Sequence, residues 1–242
     1  MRTPSALLLG AALCLPLVAL GQDRVATVTG IAITQGELTA GTQAAPREAR
    51  LLELVWPRIA ADYVARHELA ATPAEIDEVL AYHREFERKD RAQRARKIEE
   101  LEERLAENGL APEERARLED FQATLRRLAL NDAEQAEMPQ LTLEQRHSLF
   151  APWVEMWKLN RSIYERYGGV VALTSIGPLP HGARAALIAD YERQGLLEFA
   201  DTALRESVYA LLQLPPSTVV PPDRVDFTPY WKRPIPASYF PD

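Results

Sequence analysis

The side chains that most often hold metals or transfer protons are scattered along this chain. Its four histidines are His67, His83, His147 and His181, and none lies three or four residues from another. His83 and Glu87 are one helical turn apart, but a metal site needs three or four ligands held together. A solvated helix pair is the better interpretation, and the sequence predicts neither a metal nor another cofactor.

Nucleophilic residues also fail to form a catalytic pattern. The single cysteine, Cys14, lies in an N-terminal leader, so the mature chain is expected to lack a thiol for catalysis, disulfides or zinc. Ser175 follows a β-prone run, but no serine lies in a G-x-S-x-G elbow. Most carboxylates fall on polar helix faces, where no acid/base pair can be singled out. The pattern favours a binding protein over an enzyme.

The first 21 residues have the features of a cleavable signal peptide. Arg2 precedes an apolar run over residues 7–20, and small residues Ala19 and Gly21 are suited to cleavage before Gln22. We therefore expect export to a bacterial periplasm. No later run is long and apolar enough for a membrane helix, so no integral membrane segment is expected after cleavage.

Charge argues against nucleic acid as a partner. The chain has 28 Lys and Arg against 35 Asp and Glu, a formal net charge of −7. A general nucleic-acid binder needs a net basic face to displace counterions. The basic run RKDRAQRARK at residues 88–97 could touch anionic lipid or nucleic acid. The acidic IEELEE that follows favours a solvated helix face instead.

Helical periodicity dominates, so the predicted fold class is mainly α with a small β element. Residues 25–40, VATVTGIAITQGELTA, predict a short hairpin and then a helix that starts at a Thr34–Glu37 capping box. Residues 87–130 predict an antiparallel helical hairpin that projects as an arm and could mediate dimerisation, with its polar part at 87–97 solvated on nearly all sides. A proline-rich tail at 215–242 is predicted to be extended.

VATVTGIAITQGEL, followed by LLELVWPRIAADYVARHELAATPAEIDEVL, resembles the N-terminal chaperone domain of SurA-like periplasmic proteins. Thr29 stands where that family usually has Asn. The likeness covers about 55 residues of the 242. The matching positions are Val25, Val28, Gly30, Ile33, Thr34, Glu37, Leu38, Leu51, Leu52, Leu54, Ile59, Thr72, Glu75, Ile76 and Asp77.

The resemblance implies binding of unfolded or extended polypeptide, such as outer-membrane protein precursors, without ATP. It also implies that a late strand completes the N-terminal hairpin, and residues 170–174 are the candidate. The predicted domains are then a signal peptide at 1–21, a helical domain at 22–214 with the arm inserted, and the tail at 215–242. If residues 170–174 instead belong to a separate sheet, a second domain with its own activity has to be considered.

Client-binding residues are predicted on two helical stripes. An alternative for the aromatic stripe, and the more favoured one, is a core that packs against the late strand. The predicted residues are Leu51, Val55, Trp56, Ile59 and Tyr63 on the first stripe and Trp153, Trp157 and Tyr164 on the second.

Two further functions stay open at this point. One is an envelope assembly subunit that holds a single dedicated partner, with the proline-rich tail as a docking strand; the tail could instead pack on its own body. The other is a degenerate prolyl isomerase. The SurA-like family often carries a parvulin domain, but its opening strand and second histidine-bearing strand are not recognisable in this chain.

Overall fold

The computed structural model describes residues 23–40, 45–137 and 141–240, and within them the predicted fold class is confirmed. The helices are α1 (Gln35–Thr39), α2 (Arg47–Arg66), α3 (Pro73–Ala106), α4 (Pro112–Glu137), α5 (Leu143–Tyr167), α6 (His181–Arg193) and α7 (Thr202–Gln213). The strands are β1 (Arg24–Val28), β2 (Ile31–Thr34), β3 (Val171–Thr174), β4 (Gly177–Leu179), β5 (Leu197–Phe199) and β6 (Val219–Val220). The predicted signal peptide lies outside the described residues.

The chain folds as two compact units. The first unit combines the described residues up to Asp62 with His181–Ser217, and the second combines Tyr63–Pro180 with the described residues from Thr218 onward. These bounds differ from the predicted domain at 22–214 and tail at 215–242. No helix in the described ranges is long and apolar enough to cross a membrane.

The first unit contains the predicted N-terminal hairpin. β1 and β2 pair antiparallel, with Val28 opposite Ile31. Thr29 and Gly30, at φ 50° and 81°, form the left-handed turn that suits a two-residue hairpin. Thr34 caps α1, and its amide donates to Glu37 at 2.8 Å in the predicted capping box.

A late strand completes this hairpin, but the prediction that it comes from residues 170–174 is wrong. β5 pairs antiparallel with β1, giving the order β2-β1-β5. β3 instead pairs with β4 across a tight turn and with β6, giving the separate sheet β4-β3-β6 in the second unit. The physical reason is that β3 is the central strand of its own sheet, with β4 on one edge and β6 on the other, so it has no free edge to pair with β1.

The second unit contains the predicted helical hairpin, built from α3 and α4. Arg126 on α4 forms an ion pair with Glu102 on α3 at 2.7 Å, so the two helices lie side by side. Gly109, at φ 99°, lies in the connection, as its Asn-Gly stop predicts. Dimerisation through this hairpin stays a prediction.

The polar stretch at 87–97 is less solvated than predicted. The Arg94 side chain is only 13 % exposed, because its guanidinium donates to Asp90 on its own helix and to Asp132 on α4. Arg88 and Lys97 are also paired, with Glu85 and Glu100. These ion pairs occupy much of the basic run, which agrees with a helix face rather than an anion-binding surface.

Candidate functional site

Four of the five client-binding residues predicted on α2 lie in the hydrophobic core. Leu51, Val55, Ile59 and Tyr63 are each at most 2 % exposed. Their apolar spacing records the face on which α2 packs, and a client cannot reach side chains that the fold has already covered. These four side chains are therefore inaccessible in this fold, and the prediction that they contact a client gains no support from it.

Trp56, the fifth predicted residue on α2, is half-buried and already has a partner. The Arg184 guanidinium lies 4.0 Å from the centroid of its ring, within the range of a cation–π contact. Burial lowers the pKa of Arg184 to about 10, so the guanidinium stays protonated at neutral pH. With Trp56 half-buried and the other four side chains in the core, these five residues do not form an exposed apolar surface on α2.

The aromatic stripe on α5 divides between core and surface. Trp157 is 6 % exposed and packs edge-on against Trp231, with ring centroids 5.8 Å apart. Tyr164 is half-buried beside Phe227, at 5.0 Å. Trp153 alone is exposed. The alternative interpretation as an aromatic core is confirmed for Trp157, and it packs on the C-terminal tail as well as on the sheet.

The exposed side of this aromatic cluster opens into a cavity of about 560 Å³ within the second unit. We call it the aromatic groove. Its walls come from α3, α5, the β3–β4 hairpin, β6 and the tail. The aromatic side chains that line it are Tyr82, Trp153, Trp157, Tyr230 and Tyr239.

Four exposed apolar side chains line the aromatic groove. Trp153 is 41 % exposed, Leu173 58 %, Ile176 50 % and Tyr239 60 %, and all four line the cavity. Single exposed apolar residues are common on soluble proteins, but several around one concavity are typical of a surface that binds another molecule. Of the predicted client-binding residues, Trp153 and Trp157 lie at this site.

A glycine lets the β3–β4 hairpin approach the aromatic cluster. Gly177 has φ +116°, and a Cβ built on it would lie 2.9 Å from Cζ2 of Trp157. Any larger residue would be strained and would also push against the indole. Gly177 therefore fixes how close the exposed Leu173 and Ile176 lie to the tryptophan.

The C-terminal tail also lines the groove, and none of its residues was among the predicted client-binding residues. Phe227 and Trp231 are buried, and the Tyr230 hydroxyl hydrogen-bonds Nε2 of His83 at 2.9 Å. The described tail residues from Thr218 thus pack on the second unit, which is the alternative considered for the docking strand. The available signal in the sequence was the aromatic pair between prolines in TPYWKRP.

Three charged residues line the aromatic groove. Arg233 and Asp226 form an ion pair at 2.8 Å, and hydrogen bonds from Thr228, with a smaller effect of Arg233, lower the pKa of Asp226. Arg224 is exposed and forms no ion pair with any described residue. Elsewhere in the described ranges, no three His, Cys, Asp or Glu residues are grouped so that they could hold a metal.

His83 links α3 to the tail and makes the second unit sensitive to pH. Burial lowers the pKa of His83, against a smaller opposing effect of Glu87. The unfolded chain then binds the proton more readily than the folded chain. Stability is therefore fully present above the unfolded pKa near 6.5 and is lost as the pH falls through it toward the folded pKa.

We expect the free energy of unfolding to fall between pH 7.5 and pH 5, and to fall less in His83→Gln, which keeps a side chain able to hydrogen-bond Tyr230 but does not titrate. Urea unfolding at several pH values, followed by tryptophan fluorescence, gives the slope of the free energy of unfolding against pH for each protein. The other histidines are common to both proteins, so the difference in slope reports His83. Equal slopes would contradict this prediction.

We expect Gly177→Ala to destabilise the second unit by about 1–3 kcal/mol and to shift tryptophan fluorescence, because strain at positive φ adds to a clash with Trp157. Gly168→Ala is the matched control: Gly168 also has positive φ, at +63°, but a Cβ there meets nothing within 4 Å. The control should lose less stability and keep its spectrum. A fluorescence shift of the same size in both variants would show that the shift does not arise from the contact with Trp157.

Comparison with known proteins identifies no relative of this chain. No protein-family model matches it, no curated protein matches it, and no solved structure matches its fold. The resemblance to SurA-like proteins thus stays a prediction. The aromatic groove, built from residues of the second unit, is the feature from which a function can be argued.

Proposed function

We propose that this protein is a chaperone-like protein of the periplasm that holds unfolded or extended polypeptide, such as outer-membrane protein precursors, without ATP. The observation that carries the proposal is the aromatic groove, where four exposed apolar side chains surround one cavity. Burial of a client's apolar side chains there removes apolar surface from water on both partners, which is the main driving force of such binding.

The chemistry of the walls suits a polypeptide of variable sequence. Tyr and Trp supply large contact areas at low cost in side-chain entropy, and their polar atoms tolerate a partly wet interface. Neither histidine nor cysteine is present among the described residues that line the cavity. Broad apolar contacts with few converging polar groups favour binding of many related segments over catalysis on one substrate.

The position of the groove changes where a client would bind. The SurA-like resemblance lies in the N-terminal residues, whereas the groove uses α3, α5, the β3–β4 hairpin and the tail. The packed tail also gives less support to a dedicated partner held by a docking strand, because Phe227 and Trp231 are already buried. We therefore place the client in the second unit.

We expect Ile176→Asp to weaken client binding about tenfold, since it places a charge among apolar groove walls. Val170→Asp is the matched control, because Val170 is a β-branched residue of similar exposure, 46 % against 50 %, at the other end of β3 and outside the groove. The measurement is suppression of light scattering when an urea-unfolded outer-membrane β-barrel protein is diluted into buffer.

The native protein and the Val170→Asp control should suppress aggregation at near-stoichiometric amounts, and Ile176→Asp should need several-fold more. No suppression by the native protein at several-fold excess would refute the proposed function. Equal loss in both variants would show that the groove is not the client site. Circular dichroism and urea unfolding verify that both variants remain folded.

A further inference from the structure

We propose that the aromatic groove selects polypeptide segments in which an acidic side chain lies close to an aromatic one, with Arg224 binding the carboxylate. This inference rests on the proposed function and names the class of segment that the same site prefers. It rests on the net charge of the residues that line the groove, which is positive, whereas the net charge of the whole chain is negative.

Arg224 is the uncompensated charge at the groove. Of the three charged residues that line it, Arg233 and Asp226 neutralise each other at 2.8 Å, which leaves a net positive charge from Arg224. The whole chain has a formal charge of −7. A local cation on an acidic protein attracts an anionic group to this surface and repels basic segments from it.

The fold holds Arg224 beside the apolar walls. Arg224 is the last residue of the short 3-10 turn Pro222–Arg224, which follows β6 and Pro221. Its amide donates to the carbonyl of Pro221 at 2.9 Å. Asp223 precedes it in the turn but is not among the residues that line the groove. Arg224 thus lines a cavity whose other residues are mostly aromatic and aliphatic.

The tail gives an internal example of what the neighbouring surface accepts. Pro229 precedes Tyr230, whose ring lies 5.2 Å from that of Tyr82 in an edge-on contact, while Trp231 packs on Trp157. Tyr82, Trp157 and Tyr230 also line the groove. A tail segment with aromatic side chains, the 3-10 turn Tyr230–Lys232, thus already packs on these rings, and the same rings also line the groove, where a second segment can contact them.

The guanidinium of Arg224 can distinguish a charged segment from a neutral one, which the aromatic rings cannot. Apolar walls bind aromatic segments regardless of charge, whereas Arg224 can donate to a carboxylate with two N–H groups at once. An exposed ion pair of this kind contributes modestly, so we expect about a threefold preference for the acidic segment rather than strict selection.

The test uses the full mature protein and three fluorescein-labelled, end-blocked ten-residue peptides that share two aromatic residues and differ at one neighbouring position, Glu, Gln or Lys. Fluorescence anisotropy at low salt gives the three dissociation constants. We expect the Glu peptide to bind about threefold more tightly than the Gln peptide, and the Lys peptide to bind most weakly. The preference should shrink as salt screens the charges.

Arg224→Gln should bring the ratio between the Glu and Gln peptides close to one. Arg127→Gln, which removes an exposed arginine of α4 outside the groove, is the matched control and should keep the ratio. Equal binding of the Glu and Gln peptides to the native protein would overturn this inference and leave the proposed function standing. A preference that survives Arg224→Gln would overturn the role of Arg224, and no binding of any peptide would count against the proposed function itself.

Discussion

The contact on which the groove depends is the packing of the Trp157 indole against a glycine and a second tryptophan. Gly177 approaches one side of the ring so closely that a Cβ would lie 2.9 Å from Cζ2, and Trp231 packs edge-on at 5.8 Å. Through this one side chain, α5 positions both the β3–β4 hairpin and the tail. The walls of the groove are therefore positioned by core packing around Trp157.

The two apolar helical stripes show why a face with the right periodicity is not yet a binding site. On α2, Leu51, Val55 and Ile59 are fully covered, so their spacing reports how the helix packs. On α5, Trp157 is covered but Trp153 is not. A sequence records that a side chain prefers an apolar environment, whereas the fold decides whether that environment is its own core or a ligand.

Local features of the fold could be predicted because their causes are local. The Thr34–Glu37 capping box is present, as are the N-terminal hairpin and the α3–α4 hairpin. Choice of partner could not be predicted in the same way. β5 has three residues, too few for a recognisable alternation, and it pairs with a strand at the other end of the chain, with Leu197 opposite Val28.

The tail illustrates the same limit at the site. Prolines predict an extended chain, but they do not say which surface it covers, and the contacts of Tyr230 and Trp231 join residues almost 150 positions apart, such as His83 and Tyr230. The most direct test of the central claim is site-specific photo-crosslinking of an unfolded outer-membrane protein to a reactive residue at Leu173 in the groove or at exposed Leu130 on α4. The proposed function predicts strong crosslinking at position 173 and little at position 130. Crosslinking at 130 without crosslinking at 173 would contradict it.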